Sequence, residues 1–189
     1  MEQDQNSAFF KRHSRRAYLN KPVPQEALER IFEKIRWTPS SANNQPWRFV
    51  FVREKEIHDR LVDEGLSRGN AWAKAAPILV VVYSKEDYDG VRSDDPVKYY
   101  QFDSGMANMA LLLASVEEGL MPHPMGGYRA ADVKRIVGIP EEFHVLCVVA
   151  LGFEGSIDQL DERTREKDQK PRTRKAISEI ISFDKFSAG

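Results

Sequence analysis

Two short basic clusters, each mixed with hydroxyls, lie near opposite ends of the chain: Arg12-His13-Ser14-Arg15-Arg16 and Arg172-Thr173-Arg174-Lys175. Guanidinium forks grip phosphate oxygens in bidentate fashion, and Ser or Thr hydroxyls fill the acceptor sites that remain. Two such clusters suit one compact dianion held from two sides. Between them runs Pro39-Ser40-Ser41-Ala42-Asn43-Asn44-Gln45-Pro46-Trp47. Small hydrogen-bonding groups followed by an aromatic suit a flat heterocycle with polar edges. A third segment, Pro124-Met125-Gly126-Gly127, lets backbone come close to a ring face or edge, because glycine carries no Cβ. In a helix or tight turn Arg12 and Arg16 would share a face and could approach the same ligand. The expectation is a phosphorylated ring cofactor rather than a nucleic acid or a membrane.

Bulk properties narrow the alternatives. The 189 residues suffice for one domain with a sizeable core, with an arm from about 154 to 189. Lys and Arg number 28 against 29 Asp and Glu, a net charge of -1 that argues against a nucleic-acid binder. No apolar run approaches the roughly 20 residues that cross a bilayer. The N-terminus is polar and acidic, without an apolar signal region, so a cytoplasmic location is expected. The single cysteine, Cys147, lies in an apolar run and reads as packing. No GxGxxG or P-loop is present, and no Ser, Cys or His falls into a nucleophilic triad. Asp87, Asp89, Asp94 and Asp95 lack the ordered spacing of a calcium loop and read as solvated.

The elements that must position these groups follow from periodicity. A short helix is expected near 8–13. A second spans 25–37, with Ala27, Leu28, Ile31, Phe32 and Ile35 on its apolar stripe. Strands are expected at 47–53, 77–83 and 143–153, the last two as continuous apolar runs. Helices are expected at 55–66, 97–118 and 131–137. The longest has its stripe at Met106, Met109, Ala110, Leu113 and Ala114 and a C-cap at Gly119. From 154 to 171 the chain is charged and poorly periodic, hard to bury within its own subunit, and 176–181 adds a short ordered end. The fold class is α+β.

Arg-His-Ser-x-Arg followed by an aromatic, then Pro-Ser-Ser-x-Asn-x-Gln-Pro-Trp, resembles the flavin-dependent nitroreductase family. Phe102-Asp103-Ser104-Gly105-Met106-Ala107, Pro124 to Tyr128, Val148 to Phe153 and the C-terminal Arg-x-Arg-Lys extend the likeness from about Phe9 to Phe183. The resemblance implies a central, mainly antiparallel sheet surrounded by helices, with a C-terminal arm exchanged across a homodimer that shares its active sites. It implies FMN as cofactor, with Arg12, Ser14 and Arg174 on the phosphate, Arg172 assisting, and Arg16 at the pyrimidine edge, where a cation favours the reduced ring. His13 lies in the same motif. Pro39, Ser40, Ser41, Asn43 and Gln45 would serve the ring and ribityl chain, the first three from the opposite subunit. Trp47 reads as core and Asn44 as outside the site. Pro124, Met125, Gly126 and Gly127 would cover the reactive edge, with a backbone N–H directed at N5. The family often carries a carboxylate at the position of Gly126, so only a backbone role is expected here. Asn70 and Lys74 occupy places where some members make further flavin contacts.

The activity implied is hydride transfer from NAD(P)H through the flavin to a small electron-poor acceptor, such as a nitroaromatic or quinone. Two other readings stand beside it. One is a flavin-binding or redox-sensing protein without turnover. The other is a specialised enzyme of the same fold, such as a reductive dehalogenase; the loop at 84–96 shows no sign of the lid insertion such enzymes carry. A nucleic-acid module built on residues 172–175 is opposed by the net charge.

Overall fold

The computed structural model describes residues 5–89 and 97–186. Asp94 and Asp95 of the acidic loop and most of the polar N-terminus lie outside the described residues.

Four strands form one antiparallel sheet in the order β1-β2-β4-β3: β1 Arg48–Val52, β2 Ile78–Ser84, β3 Met121–Met125 and β4 His144–Gly152. The central pair explains the two continuous apolar runs. On β2, Leu79 and Val81 point into one core and Ile78, Val80 and Val82 into the other; on β4, Val148 and Ala150 oppose Val149 and Leu151. A sheet covered on both faces needs apolar residues at every position. Helices α2 (Gln25–Arg36) and α4 (Tyr99–Glu117) supply one cover, through Leu28, Ile31, Ala107 and Leu111. The other comes from α5 (Ala130–Val137) and the turn at Leu61–Gly65 that follows α3 (Lys55–Arg60). Gly119 and Gly138 take φ of 73° and 72° at the ends of α4 and α5, the left-handed conformation of a helix C-cap. The α+β class and the helix-covered antiparallel sheet agree with the expectation.

Several boundaries differ. The helix expected over 55–66 stops at Arg60 and widens into a π turn over Leu61–Gly65. Phe32, expected on the buried stripe of α2, is 37% exposed and meets Phe51 edge-on at 4.8 Å. Residues 121–125 form an unforeseen strand. Its Pro122 and Pro124 lack the N–H of a central strand, and β3 is tolerated because it lies at the sheet edge.

On α4 the buried face is Asp103, Ser104, Ala107, Leu111, Ala114 and Ser115, at helical spacing. Of the stripe expected there, Met106, Met109, Ala110 and Leu113 are only half-buried. The helix therefore has a face against the sheet and a second apolar face without a full cover.

The charged tail is not a free arm from residue 154. Leu19 N–H donates to Phe153 O at 3.0 Å, Gly155 N–H donates to Ala17 O at 2.9 Å, and Tyr18 bridges Glu154. Helix α6 (Glu162–Gln169), which periodicity did not reveal, returns Asp168 into the same subunit at 2% exposure. From Gln169 to Phe186 every residue is exposed.

Candidate functional site

Helix α1 (Ala8–Lys11) is capped by Ser7 and ends because Arg12 leaves helical backbone, at φ -58° and ψ 121°. This turns Arg12 toward the chain's other end. Arg12, Arg172 and Arg174 converge on an open cleft of about 750 Å³ whose other walls include Phe9, Phe10 and Met109. Among the described residues, no lining residue is acidic. Arg12 Nη1 donates to Ser14 Oγ at 3.2 Å, which brings the hydroxyl to the guanidinium. Arg172 Nη1 donates to Phe10 O at 2.7 Å and so ties the two segments together. Burial, and then the charges of Arg172 and Arg174, lower the Arg12 pKa from its ordinary value. Three guanidinium groups facing one another without a carboxylate form a donor set that a phosphate dianion would neutralise. The residues present fit the phosphate ester that the two basic clusters imply.

Arg16 does not share this face, a correction to the helical expectation: the helix is over before it begins. Its backbone N–H and Nη1 donate to Asp168 Oδ1 at 2.9 and 3.4 Å, and its guanidinium lies 5.9 Å from the Trp72 ring. Arg15 spans Glu154 at 3.0 Å and Asp168 at 3.4 Å. Beneath them His123, on β3, packs against Trp72 with ring centroids 4.4 Å apart. His123 Nδ1 is 2.8 Å from Arg15 O. A carbonyl only accepts, so Nδ1 carries the proton and Nε2 presents a lone pair. Burial drives the His123 pKa down to about 4, helped by Arg16 and Arg12 and opposed by the Arg15 carbonyl and Asp168. The His13 pKa is lowered as well, by burial first and then by Arg15 and Arg172, and its Nδ1 is buried without a partner. Both imidazoles are neutral near pH 7.

The segment at 39–45 is built as a rigid loop. Ser40 Oγ accepts from Gln45 N–H at 3.0 Å, and Ser41 N–H donates to the buried Asp103 Oδ2 at 2.9 Å. Gln45 Nε2 donates to Asn43 O and Oδ1 at 3.1 and 3.2 Å, and Ser84 Oγ donates to Pro46 O at 2.7 Å. Ala42, Asn43 and Gln45 have φ of 48°, 57° and 47°. Left-handed backbone at non-glycine residues is strained, and such strain collects at functional loops. Pro39 and Asn43 are exposed. Among the described residues no hydrogen bond or ion pair joins this loop to the Arg12 cleft, and none of its residues lines that cleft. Trp47 is core, 7% exposed.

At the third segment Met125 is buried at 3%, so its side chain packs the core and only its backbone is available. Gly127 O accepts from Ser67 N–H and from Asn70 Nδ2, both at 2.9 Å. A Cβ on Gly127 would stand 3.0 Å from Asn70 Nδ2, so glycine permits this close clasp. Gly126 is exposed, with open space where a side chain would be. Pro124 is half-buried on β3. Lys74 pairs with Asp63 at 3.1 Å and borders a small cleft of about 220 Å³ together with Arg16 and Trp72.

The chain thus forms three groups: Arg12, Ser14, Arg172 and Arg174; Arg16 and Lys74 beside Trp72; and Asn70 with Gly127. The loop carrying Ser40 and Ser41 stands apart. Asp168, His123 and Trp72 were not foreseen. Asp168 lies in an aperiodic charged stretch, and the alternation of Met121, His123 and Met125 was masked by the intervening prolines.

Comparison with known proteins gives the family of the chain. The model of the nitroreductase family matches residues 10–69 and 64–153. The chain is 30% identical over 179 residues to an NADH dehydrogenase of Thermus thermophilus, covering 79% of this chain and 86% of that protein. It is 29% identical over 149 residues to an Archaeoglobus fulgidus protein provisionally named NADH dehydrogenase/NAD(P)H nitroreductase, covering 77% and 82%. A solved structure described as an oxidoreductase containing FMN superposes with a TM-score of 0.87 at 28% identity over the full length of both chains. The chain belongs to the nitroreductase family.

Proposed function

We propose that this protein is an FMN-dependent oxidoreductase that takes reducing equivalents from NAD(P)H and passes them to a small electron-poor acceptor such as a nitroaromatic or quinone. The observation that carries the reading is the cleft formed by Arg12, Arg172 and Arg174, which no carboxylate among the described residues lines. The Thermus NADH dehydrogenase and the FMN-containing oxidoreductase support the same chemistry. FMN, when bound, supplies the hydride chemistry at N5. The chain's own groups bind and orient. Arg12, Arg172, Arg174 and the Ser14 hydroxyl bind phosphate. Arg16 brings a cation toward the pyrimidine edge, where negative charge grows on reduction. Ser67 and Asn70 hold the Gly127 carbonyl, which fixes how the 126–127 backbone faces the ring.

The active unit in this reading is a homodimer. The outer face of α4 and the tail at 169–186, including Ile177, Ile180, Phe183 and Phe186 at 65–91% exposure, leave apolar surface that a second copy would cover. The separate loop at Ser40 and Ser41 would serve the partner's flavin. Cytoplasmic residence accompanies this reading. Among the described residues, no helix is long and apolar enough to cross a membrane.

Mass spectrometry of the heat-released cofactor tests the proposal, followed by bleaching with NAD(P)H and recovery with a nitroaromatic. Recovery of FAD alone, or of no flavin after reconstitution, refutes it. Bound FMN that NAD(P)H does not bleach would favour a storage or sensing role.

A further inference from the structure

Asp168 stands in the last turn of α6, where the helix dipole disfavours an anion, and its side chain is wholly shielded from solvent. A buried carboxylate is tolerated when charged and hydrogen-bonding partners surround it. Among the described residues, its hydrogen-bond and ion-pair partners come from one short segment. Oδ1 accepts from Arg16 N–H at 2.9 Å and from Arg16 Nη1 at 3.4 Å. Oδ2 accepts from Arg15 Nη1 at 3.4 Å, and the Asp168 carbonyl accepts from the same Nη1 at 3.2 Å.

The position of this knot in the chain gives it significance. The residues before it lead into Arg12 and Ser14; those after it lead directly to Arg172 and Arg174. Beyond Asp168 every described residue, 169–186, is exposed, so none of them is buried to fasten the tail. The three guanidinium groups repel one another, so the cleft opposes its own assembly. Arg172 Nη1 on Phe10 O is a second tie, but it is solvent-exposed and therefore weak.

We propose that Asp168 is a positioning residue for the phosphate clamp: a buried strut that locks segment 12–16 to segment 168–174 and so keeps Arg12, Arg172 and Arg174 of one chain converged on a single phosphate. It acts through the Arg16 backbone and Arg15 without touching the ligand. The proposal rests on reading the cleft as the FMN phosphate site.

The test compares FMN with riboflavin, which lacks the phosphate, in fluorescence titrations of apo-protein. Asp168→Asn keeps the shape and an acceptor for Arg16 N–H but removes the charge; Asp168→Ala removes both. The expected result is an FMN affinity lowered about ten-fold or more by alanine and about three-fold by asparagine, with a clearly smaller loss for riboflavin, whose ring Arg16 approaches but which has no phosphate. Hydrogen exchange at the Arg16 amide should quicken in the same order. Equal losses for FMN and riboflavin would mean a general scaffold role and overturn the proposal. Unchanged or tighter FMN binding by either variant would overturn it too, since the carboxylate would then act only as a nearby negative charge. Should the alanine variant not fold, the asparagine variant carries the test. Wild-type protein that binds both flavins equally would instead refute the phosphate reading itself.

Discussion

Arg12→Ala separates the phosphate reading from a merely basic surface, because its two consequences have opposite signs. With ligand bound, the change removes a guanidinium from the cleft and the partner that holds Ser14 Oγ at 3.2 Å. A hydrogen bond to a charged group contributes about 1.5–3 kcal/mol. The cleft is open, so solvent weakens the attraction toward the lower end of that range. Without ligand, the change relieves repulsion from Arg172 and Arg174, the like charges that help lower the Arg12 pKa. In the apo-protein that relief offsets the loss of the Ser14 hydrogen bond, so its stability changes little, while binding loses about 2 kcal/mol, close to thirty-fold in Kd. Titrating apo-protein with FMN and riboflavin at two salt concentrations is the assay. FMN should weaken, riboflavin should not, and the salt dependence of FMN binding should flatten. Equal losses for both flavins, or a lowered melting temperature of the apo-protein, would refute the reasoning, since either would give Arg12 a structural role.

His123 predicts an acid limb of stability. Its folded pKa of about 4 lies below the ordinary 6.5, so as pH falls from 6.5 toward 4 the unfolded chain takes up a proton that the folded chain refuses. Stability should drop by up to about 3 kcal/mol across that window and be insensitive to this group above it. Melting temperatures of wild type and His123→Gln from pH 7 to 4.5 check this; an equally steep fall in the variant would contradict it. Gly155→Ala should destabilise by about 1–3 kcal/mol, because a Cβ there would lie 2.7 Å from the Tyr18 carbonyl carbon in rigid backbone. A variant that melts with wild type would show that this junction can shift without cost. Light scattering should give a dimer, and at an FMN concentration too low to load either variant alone, mixing Arg12→Ala protein with a Ser41 variant that also loses FMN should restore one intact site in some heterodimers. A flavin-loaded monomer would end the dimer reading, and a dimer without complementation would end the shared site.

What was legible in the chain follows from how far each requirement reaches. The apolar runs of β2 and β4 announce strands covered on both faces, because each residue meets one of two cores whatever the helices above look like. Helix α2 shows its period since only one of its faces is buried. Helix α4 misled for the converse reason: apolar on two faces, it offers two stripes, and periodicity alone cannot say which one meets the sheet. Strand β3 was hidden because its prolines read as a turn, and only its place at the sheet edge excuses their missing N–H groups.

The site divides along the same line. A phosphate dianion demands cations in any fold, so the two basic clusters stand out before their neighbours are known; the resemblance to the nitroreductase family, rather than chemistry alone, singles out Arg12, Arg172 and Arg174 within them. Asp168 answers a different demand, the need of Arg15 and Arg16 for a counter-charge once they are partly buried. That demand exists only after folding brings together residues 152 positions apart. His123 is a further step removed: its neutrality depends on burial, on Trp72 and on the Arg15 carbonyl, none of which its own neighbours in the chain disclose. On the proposed reading, the clusters that would face the ligand are readable from chemistry, whereas the groups that aim them are readable only from packing. Substitutions at Asp168 and His123 should accordingly test the geometry of the site, and those at Arg12 and Arg174 its chemistry.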